Sequence, residues 1–268
     1  MDFTLLLLYF PMGALVGFIA GLLGVGGGAI LVPAFLLVAQ AESFPSEHAM
    51  HMALGTSLAC ILASSFSSAR THLKKGAVHL GVVKGMAPAI FVGSLAGTFL
   101  AARLPAAPLK WLFLSFLAYV AQDLLRKPKP LAHAHLPGAR GLSLMGAMIG
   151  GFSSLVGIGG ASLSVAFLVW CSVGMHEAIG TSAALGVMIS LAGTIGYIVN
   201  GWGIPHLPLG SLGFVYVPAF LGVTLTSYFI APYGARAAHK LPVQTLRRVF
   251  ALFLLVVSIR MAAAQLGW

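Results

Sequence analysis

Four glycines in five residues, Gly24, Gly26, Gly27 and Gly28, interrupt an apolar run that extends from Leu5 to Val38. As one helix these 34 residues would measure about 51 Å. The hydrocarbon core of a bilayer is only roughly 30 Å thick. Glycine is among the poorest helix formers, so the run is expected to divide there. A second long run, 142–171, has the same fault at Gly157, Gly159 and Gly160. A chain with two such runs must place them in a membrane or in a very large apolar core. Composition decides between these: 59% of the 268 residues are hydrophobic and 7% charged, whereas a soluble domain carries about 25% charged residues. The mean hydropathy is +0.99. The chain reads as an all-α polytopic membrane protein.

Eight apolar segments are predicted, at 5–39, 49–69, 80–101, 107–125, 142–171, 178–199, 209–231 and 243–264, with Pro, Gly and charged residues between them. They repeat in order. Gly24-Val25-Gly26-Gly27-Gly28 matches Gly157-Ile158-Gly159-Gly160-Ala161. His51 followed by Gly55-Thr56-Ser57 matches His176 followed by Gly180-Thr181-Ser182 at the same spacing, and Pro88 matches Pro218. Leu104-Pro105, Leu109-Lys110 and Phe113 match Leu241-Pro242, Leu246-Arg247 and Phe250. The expected organisation is a first repeat over 1–127, a polar linker over 128–140 and a second repeat over 141–268, each repeat holding four hydrophobic segments of which the first is broken.

The net charge of +10 has no continuous basic face with interleaved aromatics, so nucleic acid is not an expected partner; the lipid bilayer is. Basic residues instead cluster at segment ends, as positive-inside loops do. If each glycine break only kinks its segment, the better-populated side holds nine of the fifteen basic residues. If each break reverses the chain, as a re-entrant segment or hairpin, one side holds twelve and the other only Arg103, Lys110 and Arg260. The second split fits the rule far better. It makes the halves inverted repeats and puts both termini outside a cell membrane. Met1-Asp2-Phe3-Thr4 lacks the basic start of a signal peptide, so the first segment is read as a retained part of the fold.

Catalytic and metal chemistry find little to stand on. Cys60 and Cys171 lie inside apolar segments and read as packing residues. Glu47, His48 and His51, the pair His133 and His135, and His176 with Glu177 fall short of the three or four ordered ligands of a zinc site. No GxSxG or HExxH motif occurs. No cofactor and no enzymatic activity are expected. Asp123 and Arg260, late in the fourth and eighth segments, either pair between the halves or sit at interfaces.

Paired glycine-broken segments at corresponding places in two halves are the best sequence pointer to a transporter's binding site. A helix that starts inside the bilayer leaves backbone N–H groups that lipid cannot satisfy. Such a start carries partial positive charge, so a small anion suits it. The expected anion-binding residues are Gly24, Gly26, Gly27, Gly28, Gly157, Gly159 and Gly160, with hydroxyls from Thr56, Ser57, Thr181, Ser182 and Ser162. Ser153 and Ser154 flank the second break as weaker candidates. The Thr-Ser pairs open the second and sixth segments, where helix capping is the competing role. Arg70 is a candidate for the mouth of the pathway, with snorkelling as its alternative role. Single spacings such as Gly13 to Gly17 read as helix packing.

With Gly24-Val25-Gly26-Gly27-Gly28 and Pro33, Gly55-Thr56-Ser57, Lys74-Lys75-Gly76 and the second-half copies, the chain resembles the TauE/SafE (TSUP) family of sulfite and organosulfonate exporters over essentially its whole length. The resemblance implies transport of sulfite, sulfoacetate or a related organosulfonate across the cytoplasmic membrane. The second half departs from the first, with Ala161 for the last glycine and Ala166 for Pro33. A passive small-anion channel and a permease for another small anion are the alternatives. The oligomeric state is left open, a homodimer included.

Overall fold

A computed structural model of the chain describes residues 3–23, 27–125, 135–238 and 243–265. Gly24 and Gly26 and the linker up to residue 134 lie outside the described residues. The elements are α1 (Phe3–Leu23), α2 (Gly28–Ala41), α3 (Ser46–Lys74), α4 (Leu80–Arg103), α5 (Ala106–Leu125), α6 (Ala139–Val156), α7 (Ala161–Trp170), α8 (Met175–Gly201), a short hairpin β1 (Ser211–Leu212) and β2 (Val215–Tyr216), α9 (Val217–Ala238) and α10 (Val243–Gln265). Helices α3, α4, α6 and α8 are each long and apolar enough to cross a membrane, and shorter apolar stretches lie in α1, α2 and α9. The protein is an all-α polytopic membrane protein.

Both long runs divide at their glycines. The products α2 and α7, of 14 and 10 residues, reach about 21 and 15 Å, too short to cross the bilayer. Gly157 and Gly160 take φ of +67° and +68°, the left-handed region where a side chain is strained. Here glycine is required by the break itself.

The first break reverses the chain. Tyr9, near the start of α1, donates its hydroxyl to Glu42 Oε1, just past the end of α2, at 2.9 Å. In an unbroken helix these residues, 33 apart, would stand about 50 Å from each other. The second run does the same at the opposite face. Gly85 lies against Leu142, and Gly146 against Met86 and Ile90, so α6 runs parallel to α4 and begins where α4 begins. After α7 the chain enters α8, where Gly180 lies against Ala77 and His72, again beside the start of α4. Both α6 and the α6–α7 hairpin therefore open on the face where α3 ends and α4 begins.

Close contacts between helices rest on small residues. A Cβ on Gly13 would stand 2.7 Å from the Val223 backbone, and one on Gly17 2.5 Å from that of Ser227. Helices α1 and α9 thus pack backbone to backbone and in parallel, which is the packing role expected of Gly13 and Gly17. In the centre, α3 and α8 run antiparallel, with Gly55 against Tyr197 and Leu58 against Gly193. Helix α5 packs on α10.

These contacts define two faces. The start of α1, the α2–α3 and α4–α5 turns, the β-hairpin and the start of α9 share one, called here the terminal face. The α3–α4 turn, the starts of α6 and α8 and the ends of α5, α7 and α9 share the other, the basic face, where Arg70, Lys74, Lys75, Lys84, Arg140 and Arg236 lie. Helix α10 begins five residues after α9 ends, so it opens on the basic face, opposite in direction to α5. Asp123 and Arg260, late in these two helices, therefore sit at opposite ends of the pair. That arrangement excludes the pairing between halves considered for them.

Candidate functional site

The two breaks meet. A Cβ on Gly28 would stand 2.6 Å from the Gly157 carbonyl oxygen and 3.2 Å from Ile158 Cα. The Ile61 side chain touches both, with Cδ1 2.9 Å from the Gly28 position and Cγ2 2.6 Å from the Gly159 position. On the other side Gly186 lies 3.0 Å from the Gly159 carbonyl oxygen. Ile61 and Gly186 are near the midpoints of α3 and α8. The breaks therefore sit halfway along the two central helices, where each half-helix starts with no side-chain cap.

The hydroxyls predicted around the breaks have defined work. Thr56 is ten residues into α3 and Thr181 six into α8, so neither caps its own helix, as a segment-opening position would. Each holds another helix instead. Thr56 Oγ1 accepts from the Tyr216 backbone N–H at 3.0 Å, immediately before α9. Thr181 Oγ1 accepts from the His79 backbone N–H at 2.8 Å, immediately before α4. Ser57 Oγ donates to the Gly157 carbonyl at 2.9 Å, which satisfies a backbone acceptor that the break would otherwise leave bare. Ser182 is buried in the same region. The repeated histidines part company: His51 is buried, its Nε2 lying 3.1 Å from the Ala101 and Leu104 carbonyl oxygens at the end of α4, whereas His176 is exposed.

Beside the second break is a narrow crevice lined by Phe116, Phe152, Ser153, Val156, Ile158, Gly160, Ser162 and Leu163. Ser153 is 2% exposed, and its hydroxyl has no hydrogen-bond partner among the described residues. Ser154, by contrast, donates to the Gly151 carbonyl at 2.9 Å.

From this centre the two faces differ. Toward the basic face, the second half of α3 carries Ser64, Ser65, Ser67, Ser68, Arg70 and Thr71, every one exposed or half-buried. Their counterparts in α8 are Ile189, Ser190, Ala192, Gly193, Ile195 and Gly196, all buried but Ile195. The terminal face is closed by aromatic side chains. His51 stacks on Phe214 at 5.1 Å, Tyr197 meets Phe214 at 6.5 Å, and Phe35, Phe44 and Tyr9 surround Tyr216. Burial and then the Glu42 charge push the Tyr216 phenol above its ordinary value, which keeps it a neutral hydroxyl. The run of hydroxyls in α3 was legible in the sequence, in Ser64 to Thr71, but only the exposure contrast with α8 gives it meaning.

Discontinuous half-helices that meet at mid-depth between antiparallel central helices define a membrane transporter. Comparison with known proteins agrees: the chain matches the sulfite exporter TauE/SafE family over residues 9–261, and it belongs to that family. It is 38% identical, over 97% of its length and 98% of the relative's, to a probable membrane transporter protein of Haemophilus influenzae. A probable membrane transporter protein of Methanocaldococcus jannaschii is 26% identical over 92% of each chain. Another, of Bacillus subtilis, is 27% identical over 70% of this chain and 77% of its own. No solved structure matches.

Proposed function

We propose that this transporter exports a small sulfur-containing oxyanion, either sulfite, sulfoacetate or a related organosulfonate, by alternating access around the meeting point of the two breaks. The observation that carries the reading is the contact of Gly28 with Gly157. It sets the uncapped start of α2 against Gly157 at the end of α6, four residues before the uncapped start of α7, so two sources of free N–H groups and partial positive charge lie near one place inside the membrane. The exposed hydroxyls of α3 and the buried α8 counterparts support a state open to the basic face and shut at the terminal face. Arg70 is then the first cation an anion meets.

The repeats 1–127 and 141–268 are inverted copies of one another. Their interleaving supports this: α1 packs on α9, α6 on α4, α3 on α8 and α5 on α10, and exchanging the halves maps this set of pairs onto itself. Positive-inside bias makes the basic face cytoplasmic and leaves both termini outside the cell membrane.

Counterflow tests the reading. Proteoliposomes loaded with unlabelled sulfite are expected to accumulate labelled sulfite transiently against its gradient. Simple equilibration without overshoot would favour the channel, and the absence of flux for sulfite, sulfoacetate and methanesulfonate alike would overturn the substrate class.

A further inference from the structure

The two breaks are alike in sequence pattern but not in what surrounds them. Aligned on Gly24 and Gly157, the serines Ser153, Ser154, Ser162 and Ser164 of the second half stand where the first half has Ala20, Gly21, Ala29 and Leu31. Within the broken segments themselves serines are thus confined to the second half. The start of α2 is backed by the Gly157 carbonyl oxygen, 2.6 Å from where a Gly28 Cβ would be. A carbonyl there repels an anion and already occupies the approach to that helix. The start of α7 is covered by apolar side chains instead, Ile61 against Gly159 and Ile189 against Gly160, and neither repels an anion as a carbonyl does. This start borders the narrow crevice formed with Phe116 and Phe152, and Ser162 stands in its first turn.

Ser153 marks the crevice as a place for a guest. A buried serine in a helix usually returns its proton to a carbonyl one turn back, as Ser154 and Ser190 do. Ser94, Ser153 and Ser164 make no such bond, and of these three Ser153, 2% exposed, lines the crevice beside Gly160. A Cβ on Gly160 would stand 3.1 Å from the Ser153 hydroxyl oxygen and would run into the Ile189 side chain, so only glycine fits beside this donor. An unmet hydroxyl in an apolar setting is costly unless a partner visits it.

The remaining wall decides what that partner is. None of the eight lining residues carries a formal charge, and five of them, Phe116, Phe152, Val156, Ile158 and Leu163, are apolar. Burying charge without a counter-ion is opposed by desolvation. That cost grows with the square of the charge, so a dianion meets about four times the penalty of a monoanion of equal size. Uncharged donors and a helix start can hold one delocalised negative charge, and the aromatic wall suits a small apolar tail.

We infer that the second half alone seats the anion, on the Ser153 hydroxyl and the start of α7 once the Ile189 side chain turns aside, and that this seat takes a singly charged sulfonate or hydrogensulfite head in preference to a dianion. The inference rests on the oxyanion-transporter reading above and narrows it. First-half glycines Gly27 and Gly28 then serve as the close-packed backing of the site rather than as ligand donors.

Binding to the purified full-length protein in detergent tests both parts, with methanesulfonate and sulfate as probes. The wild type is expected to bind methanesulfonate well ahead of sulfate. Ser153→Ala should weaken methanesulfonate by about tenfold or more, the worth of one hydrogen bond to a charged group, and Ser153→Thr, which keeps the hydroxyl, should retain most of the affinity. Labelling gives a second readout that does not depend on Ser153→Ala folding. In a Cys60→Ala, Cys171→Ala background, thiol modification of Ser153→Cys should be slowed by methanesulfonate. Sulfate binding as tightly as methanesulfonate would overturn the charge preference. Unchanged affinity in a folded Ser153→Ala protein, or labelling of Ser153→Cys indifferent to methanesulfonate, would overturn the seat. In either case the oxyanion reading stands if transport persists. Failure of the wild type to bind or move any small anion would remove both.

Discussion

Gly28 lies against the carbonyl oxygen of Gly157, so close that a Cβ on Gly28 would stand 2.6 Å from it. The contact joins the start of α2 to the end of α6, 129 residues apart in sequence, and the proposed transport pathway passes through it. Gly28→Leu should therefore abolish transport while leaving insertion into the membrane intact, because the clash is local and the spanning helices are untouched. Gly26→Leu and Gly159→Leu are expected to behave alike. Vesicle flux measured beside the amount of protein in the membrane fraction checks this, and normal flux in well-expressed Gly28→Leu would remove the breaks from the site.

Ser57 has a different kind of importance. Its hydroxyl is bonded to the Gly157 carbonyl, so Ser57→Ala leaves a buried acceptor unmet at a cost of about 1–3 kcal/mol. The expected result is a lower unfolding midpoint in detergent with transport reduced in step. Ser57→Thr, which keeps the donor, should recover stability unless its added methyl crowds the break.

Thr56 and Thr181 form a matched pair of ties. Thr56→Val and Thr181→Val each deprive one backbone N–H of its acceptor, Tyr216 and His79 respectively. Each should lower stability by about 1 kcal/mol, and because they anchor different helices the double variant should show nearly the sum. Thermal unfolding of the four proteins checks the additivity; no loss in either single variant would deny the ties any weight.

Chain reversal has a direct test. With Cys60 and Cys171 replaced by alanine, Tyr9→Cys and Glu42→Cys should be joined by a short bismaleimide, since the native side chains hydrogen-bond; an unbroken helix would keep them about 50 Å apart. Cysteines placed at Lys129 and Arg236 should in turn be labelled from the same side of the membrane. Finding those two on opposite sides would refute the arrangement of faces.

Much of this was legible in the residues. The 12-to-3 division of basic residues favoured reversal at the breaks over a kink, and the Tyr9–Glu42 bond bears it out at the first of them. The glycine clusters marked where the helices stop, since no regular helix tolerates four glycines in five residues. Less legible were the hydroxyls. Thr56 and Thr181 looked like helix openers because the apolar runs begin near them. The polar first turns of α3 and α8, from Ser46 and Met175, extend those helices beyond what hydropathy alone detects.

The sequence by itself determined the membrane class, the placement of the breaks and the sidedness of the charge, because each follows from local chemistry: apolar length, glycine's backbone cost and the distribution of Lys and Arg. Only the tertiary structure decided that the breaks touch, that Ser57 is committed to Gly157 while Ser153 is uncommitted, and that α3 is open where α8 is closed. A hydroxyl's partner depends on which distant helix packs beside it, and a repeat in sequence fixes equivalent positions without making their surroundings equal.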